Sequence, residues 1–107
     1  MSEEPKTAVM LEAPGYESLA RVLSLAFDQA AYGKGMRRHA LGEPFDEQVM
    51  QIGADKFGTG ALLFQAFKKS EESQRLPRQA AINELLGAIN YLAGAVIAIE
   101  RNTTTEE

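Results

Sequence analysis

From Tyr16 to about Tyr32 the apolar residues Tyr16, Leu19, Val22, Leu23, Ala26, Phe27 and Ala30 recur at helical spacing, with Glu17, Ser18, Arg21, Ser24 and Asp28 mostly opposite. This predicts an amphipathic helix, stopped by Gly33. A shorter apolar set, Phe45, Val49, Met50 and Ile52, follows Pro44 and predicts a second helix that starts on the proline and ends at Gly53. After Phe57-Gly58-Thr59-Gly60, a third helix is expected from Ala61 to about Ser73, with Leu62, Leu63, Ala66 and Phe67 inward. The last helix begins near Pro77 and continues to about Arg101. No window alternates over five residues with β-branched enrichment, so no strand is expected. The pattern reads as all-α: a compact bundle of about four helices with a long C-terminal apolar helix, assembled as a homo-oligomer.

The oligomer is expected because of that last helix. Between Ala80 and Ile99 only Asn83, Glu84, Gly87, Asn90, Tyr91 and Gly94 are not aliphatic. A helix apolar nearly all round must be buried on most sides, which a lone bundle of this size does poorly. A bilayer is the weaker answer, since Glu84 in hydrocarbon would cost several kcal/mol. Asn83 and Asn90 are seven residues apart, as are Gly87 and Gly94, so the four form one small, polar stripe. Two roles fit the stripe. It can be a close helix–helix contact in which the asparagines set register across a subunit interface, with Asn83, Gly87, Gly94 and Ile97 as interface residues. Or the glycines open a concavity in which Asn90, with Tyr91, contacts a ligand.

Length and composition narrow the chemistry. At 107 residues, 45% apolar and 24% charged, the chain has room for one core. Residues 1–14 and 102–107 read as flexible ends around a single helical domain, 15–101. There is no cysteine and one histidine, His39, which excludes disulfides, thiolate zinc sites, cysteine nucleophiles and multi-histidine metal sites. The net charge of −4 belongs to the ends, because residues 13–99 carry nine acids and nine bases. Those bases are clustered. Lys34, Arg37 and Arg38, beside His39, fall in a stretch hinged by Gly33, Gly35 and Gly42, and Lys68, Lys69, Arg75 and Arg78 form the second window. A glycine-hinged cationic loop can offer phosphate several charged donors and backbone N–H groups, although it matches neither a Walker loop nor a dinucleotide fingerprint. It equally suits a solvated loop pairing with Glu43, Asp46 or Glu47.

In the second window, Lys68 with Glu72 and Glu71 with Arg75 are i, i+4 pairs suited to an exposed face, or to a rim beside the basic loop. Rings able to stack on a base are Tyr32, Phe45, Phe64, Phe67 and Tyr91. Local basic windows in an acidic chain favour a small anionic ligand over duplex nucleic acid. Helical nucleoside-triphosphate pyrophosphohydrolases of the MazG type hold magnesium with Glu-Glu-x-x-Glu and a later Glu-x-x-Asp. Here Glu71-Glu72 is followed by Arg75 where the third acid belongs, and Gly87 stands three residues after Glu84.

Gly33-Lys34-Gly35-Met36-Arg37-Arg38-His39-Ala40 with Gly42-Glu43-Pro44-Phe45 and Gln48, then Lys68-Lys69 with Glu72-Ser73 and Arg75-Leu76, then Glu84 through Leu92, resemble small helical proteins encoded by tailed phages and prophages. The resemblance covers about residues 16–100. Compact phage proteins of this kind include sponges, which sequester cyclic or ADP-ribose-derived nucleotide signals of bacterial immunity. With the resemblance, the clustered cations and the poverty of catalytic groups lead to the expectation of a non-catalytic anti-defence protein in the cytoplasm of an infected host, with no cofactor, metal or membrane partner. The ligand residues expected are Lys34, Arg37, Arg38, His39, Lys68, Lys69, Arg75, Asn90 and Tyr91. The alternatives are a magnesium-dependent nucleotide diphosphohydrolase using Glu71, Glu72 and Glu84, and an inhibitor or adaptor that docks on another protein.

Overall fold

A computed structural model describes residues 13–33, 44–45 and 48–101. Every regular element among them is helical: α1 (Glu17–Tyr32), α2 (Val49–Phe57), α3 (Gly60–Ser73) and α4 (Arg78–Arg101). The expected ends of α1, α3 and α4 hold to within a residue or so. The second helix differs. It starts at Val49 and passes through Gly53 to Phe57, because Ala54 in the following turn is buried against Leu62 and Ala95. That contact outweighs the roughly 1 kcal/mol that a mid-helix glycine costs.

The stop is Gly58, where φ is +84° and ψ is 171°, a region open essentially to glycine alone. Its N–H closes α2 on the Ala54 carbonyl at 2.7 Å, and α3 begins two residues later. The turn from α3 to α4 is also short. Gln74, Arg75 and Leu76 donate their N–H groups back to Glu71, Glu72 and Ser73, and the carbonyl of Pro77 accepts the first bond of α4 from Ala81 at 2.8 Å. A proline suits that place, since its missing N–H would lack a helical partner there anyway.

α4 is the axis. Lys69 bonds Glu84 while Leu62 lies against Gly94, so α3 runs antiparallel to it. Gln29 bonds the Asn83 carbonyl while Asn90 bonds that of Ala26, so α1 is antiparallel too. α2 takes the other end of α4, with Gln51 at Gly94 and Asp55 at Arg101. α1 and α2 thus divide the length of one α4 flank, and α3 lies along another. The buried apolar positions are Ala26, Ala54, Leu62, Ala66, Leu86, Ala88 and Ala95, a core built largely of alanine. Leu63 and Phe67, expected inward, are exposed, because α3 is covered only on the side of Leu62 and Ala66. The long apolar helix is therefore enclosed on two flanks and bare on a third.

Two substitutions separate the roles of the glycines. Gly53 has open space at its Cβ position and helical backbone, so Gly53→Ala is expected to stabilise the fold by about 0.5–1 kcal/mol. Gly58→Ala, forced into positive φ, is expected to destabilise it by about 1–3 kcal/mol. Urea unfolding of both variants checks the opposite signs.

Candidate functional site

The stripe on α4 is a seam within the chain. At Gly87 an added Cβ would lie 3.1 Å from Lys69 Cδ and 3.5 Å from Gln29 Oε1; at Gly94 it would lie 2.7 Å from Met50 Sδ and 3.5 Å from Gln51 Nε2. The two glycines therefore let three helices approach α4 closely. The asparagines of the stripe are used in the same way. Asn90 Nδ2 donates to the Ala26 carbonyl at 3.0 Å, and Asn83 accepts from Gln29 Nε2 through its carbonyl and from Gln79 through its side chain. The first role read from the stripe, close helix packing, thus has its partner inside one chain. Ile97 is half-buried on the same flank.

The seam also uses residues that the sequence did not single out. Gln51 is the one large side chain with no exposed surface among the described residues. Its Nε2 donates to the Gly94 carbonyl at 2.9 Å, and its Oε1 accepts from Arg101 at 2.9 Å. Arg101 in turn reaches Asp55 at 3.4 Å. Gln29, Asn90 and Gln51 therefore do one job, an amide donating to a backbone carbonyl on the facing helix. The signal for Gln51 was a polar residue inside the apolar run Met50-Gln51-Ile52, which reads as a helix face until the partner is known.

The second cationic window is split by the fold. Lys69 turns inward: its Nζ lies 3.3 Å from Glu84 Oε1 and 6.0 Å from the centre of the Tyr91 ring, and its stem covers Gly87. Tyr91 packs against the Ala54, Leu62 and Ala95 cluster. Lys69 and Tyr91 are thus brought together, while Asn90 turns to α1. Lys68, Arg75 and Arg78 are exposed. The expected pairs Lys68–Glu72 and Glu71–Arg75 are not closed; the ion pairs among the described residues are the interhelical Lys69–Glu84 and Arg101–Asp55. Lys34, Arg37, Arg38 and His39 lie outside the described residues.

Gly33 shows where that cationic stretch departs. Gln29 is bound at Asn83, so α1 delivers Gly33 to the end of the bundle where α4 begins. The α3–α4 turn, with Arg75 and Arg78, is at the same end. At the opposite end a shallow groove of about 710 Å³ runs beside Gly58, Thr59 and Ile99, but it holds the mutually neutralising Asp55 and Arg101. The carboxylates do not gather: no group of three His, Asp or Glu able to hold a metal occurs among the described residues, and Glu84 is engaged by Lys69.

No family model matches the chain, and neither does any curated protein or solved structure.

The buried amide is the part of the seam most exposed to test. Gln51→Ala leaves a cavity beside Gly94 and removes two hydrogen bonds, and is expected to cost about 2–4 kcal/mol of stability by chemical denaturation. Lys68→Ala, on an exposed position of α3, is expected to change stability by less than about 0.5 kcal/mol in the same assay.

Proposed function

We propose that this protein is a non-catalytic binding protein for a small phosphorylated ligand of the nucleotide class, held at the end of the bundle where α1 ends and α4 begins. The supporting observation is the convergence there of Gly33, from which Lys34, Arg37, Arg38 and His39 follow in sequence, with the exposed Arg75 and Arg78. Gly33, the residue before the first cationic window, and Arg75 and Arg78, the last residues of the second, share one end of the bundle. Phosphate is the anion best served by several guanidinium and ammonium donors around one point.

Sequestration fits better than turnover. A diphosphohydrolase needs carboxylates to hold magnesium, and of Glu71, Glu72 and Glu84 the last is bonded to Lys69. Asn90 and Tyr91 leave the list of ligand groups on this reading, because their side chains serve the seam and the core. The base or ribose contacts then fall to exposed rings such as Tyr32, one residue before Gly33.

Isothermal titration against cyclic nucleotides and ADP-ribose isomers tests the reading, with recovery of the ligand after heat denaturation. Binding of at least one phosphorylated nucleotide is expected, with intact ligand recovered. Arg37→Ala with Arg38→Ala, and Arg75→Ala with Arg78→Ala, are each expected to weaken it about ten-fold or more, as loss of charged hydrogen bonds does. No binding across the panel, or recovery of a cleaved product, overturns it. Indifference to nucleotides together with capture of one specific host protein would favour the adaptor alternative instead.

A further inference from the structure

The core of this chain is alanine apart from Leu62 and Leu86, while many of its larger apolar side chains are exposed. On α4 the bare flank is a continuous row: Ile82, Leu85, Ile89, Leu92, Val96 and Ile99, spaced 3, 4, 3, 4 and 3 residues apart. Leu85, Leu92, Val96 and Ile99 are 43%, 47%, 56% and 63% exposed, and Ile82 and Ile89 are partly so. This is a heptad seam of a different phase from the glycine stripe, which points into the chain. Its alternate positions are Ile82, Ile89 and Val96, all β-branched, and Leu85, Leu92 and Ile99. β-branched residues at the first core position with leucine at the second favour two parallel strands.

α3 extends the surface. With Leu62, Ala66 and Lys69 turned to α4 and the two helices antiparallel, helical phase puts Leu63 and Phe67 on the flank next to this row, and both are exposed. Leu85, Leu92, Val96, Ile99, Leu63 and Phe67, each more than two-fifths exposed, form an apolar patch on the order of the largest that a typical monomer carries (~300–600 Å²) and approaching the ~800 Å² per partner of a stable interface.

The chemistry of the rim decides the occupant. By length and composition α4 could cross a membrane, but α1 and α3 are packed along it, and crossing would carry Arg21, Lys68, Glu71 and Glu72 into hydrocarbon. A helix lying on a lipid surface needs a basic rim, and from Gln79 to Ile99 the only charged residue is Glu84, which faces Lys69. A second α4 needs neither rim nor counter-charge. We infer that two copies of this chain pair through the bare flank of α4 as a parallel, in-register two-stranded seam, with Leu63 and Phe67 of α3 at its margin. The seam uses other residues than the ligand site proposed above, so either stands without the other.

Light scattering after size exclusion is expected to give twice the 11.7 kDa of one chain at micromolar concentration. Leu92→Glu with Val96→Glu touches exposed positions of the single chain, and is expected to keep the helical circular dichroism while weakening pairing about a hundred-fold or more. The chain has no cysteine, so single-cysteine probes are clean. Ile82→Cys and Val96→Cys are each expected to form a disulfide-linked pair on mild oxidation, as in-register core positions do in a parallel seam. A single-chain mass for the wild-type protein overturns the inference, whether or not the protein then floats with phosphatidylcholine vesicles. So does a dimer that survives both glutamates, and so does failure of both cysteine variants to cross-link.

Discussion

Gly87 and Gly94 lie two turns apart on α4, and the other three helices meet α4 at those two places. A Cβ at either would press on side chains already in contact, Lys69 at one and Met50 at the other. Each glycine costs about 1 kcal/mol of helix propensity relative to alanine, and what offsets it is the close approach of the neighbouring helices. Close approach in turn brings polar side chains within reach of helical carbonyls, which is why Gln29, Asn90 and Gln51 all bond backbone oxygen across an interface. Such bonds are directional, so they fix where along α4 each helix sits, a task that an alanine core performs poorly on its own.

This ordering explains which parts of the fold were legible beforehand. The helices were, since their periodicity, the stop at Gly33 and the start at Pro77 are local. The stripe was too, because Asn83, Gly87, Asn90 and Gly94 recur on one face whatever they pack against. What covers the stripe was not legible, because periodicity reports the phase of a face and says nothing of whether its partner is in the same chain. Gly53 shows the same limit on a smaller scale: a glycine is a permissible stop, and the burial of Ala54 one residue later is a tertiary fact. Of the candidate ligand residues, Lys69, Asn90 and Tyr91 make contacts within the fold that their sequence positions did not reveal. Arg75 and Arg78 kept their exposure because a helix-to-helix turn has no interior side.

The two heptad phases of α4 divide its surface between tasks. One phase is small and polar and receives α1, α2 and the stem of Lys69; the other is large and apolar and has no cover among the described residues. An alanine-rich core brings the helix axes together but buries little area per residue, so the hydrophobic stabilisation of one copy is modest. Pairing through the outer phase would add the burial that the inner phase lacks. The size limit of a 107-residue chain would be met in that way by the proposed assembly rather than by a larger core.

A parallel pair would also shape the anion site. Antiparallel packing would send the two cationic ends to opposite poles of the assembly, whereas parallel packing would set Arg75 and Arg78 of both copies at one pole, together with both copies of Gly33. Like charges at that pole repel, so they oppose pairing at low ionic strength. A multiply charged phosphate ligand placed between them would remove the repulsion and would itself be held by both copies. Ligand binding and pairing are then thermodynamically linked, and whatever factor the ligand adds to the association of the two chains, association adds to the affinity for ligand. A small bundle would gain from this a tight grip on a compact anion, because pairing through the apolar row would bring a second set of donors to the same pole while completing its hydrophobic burial.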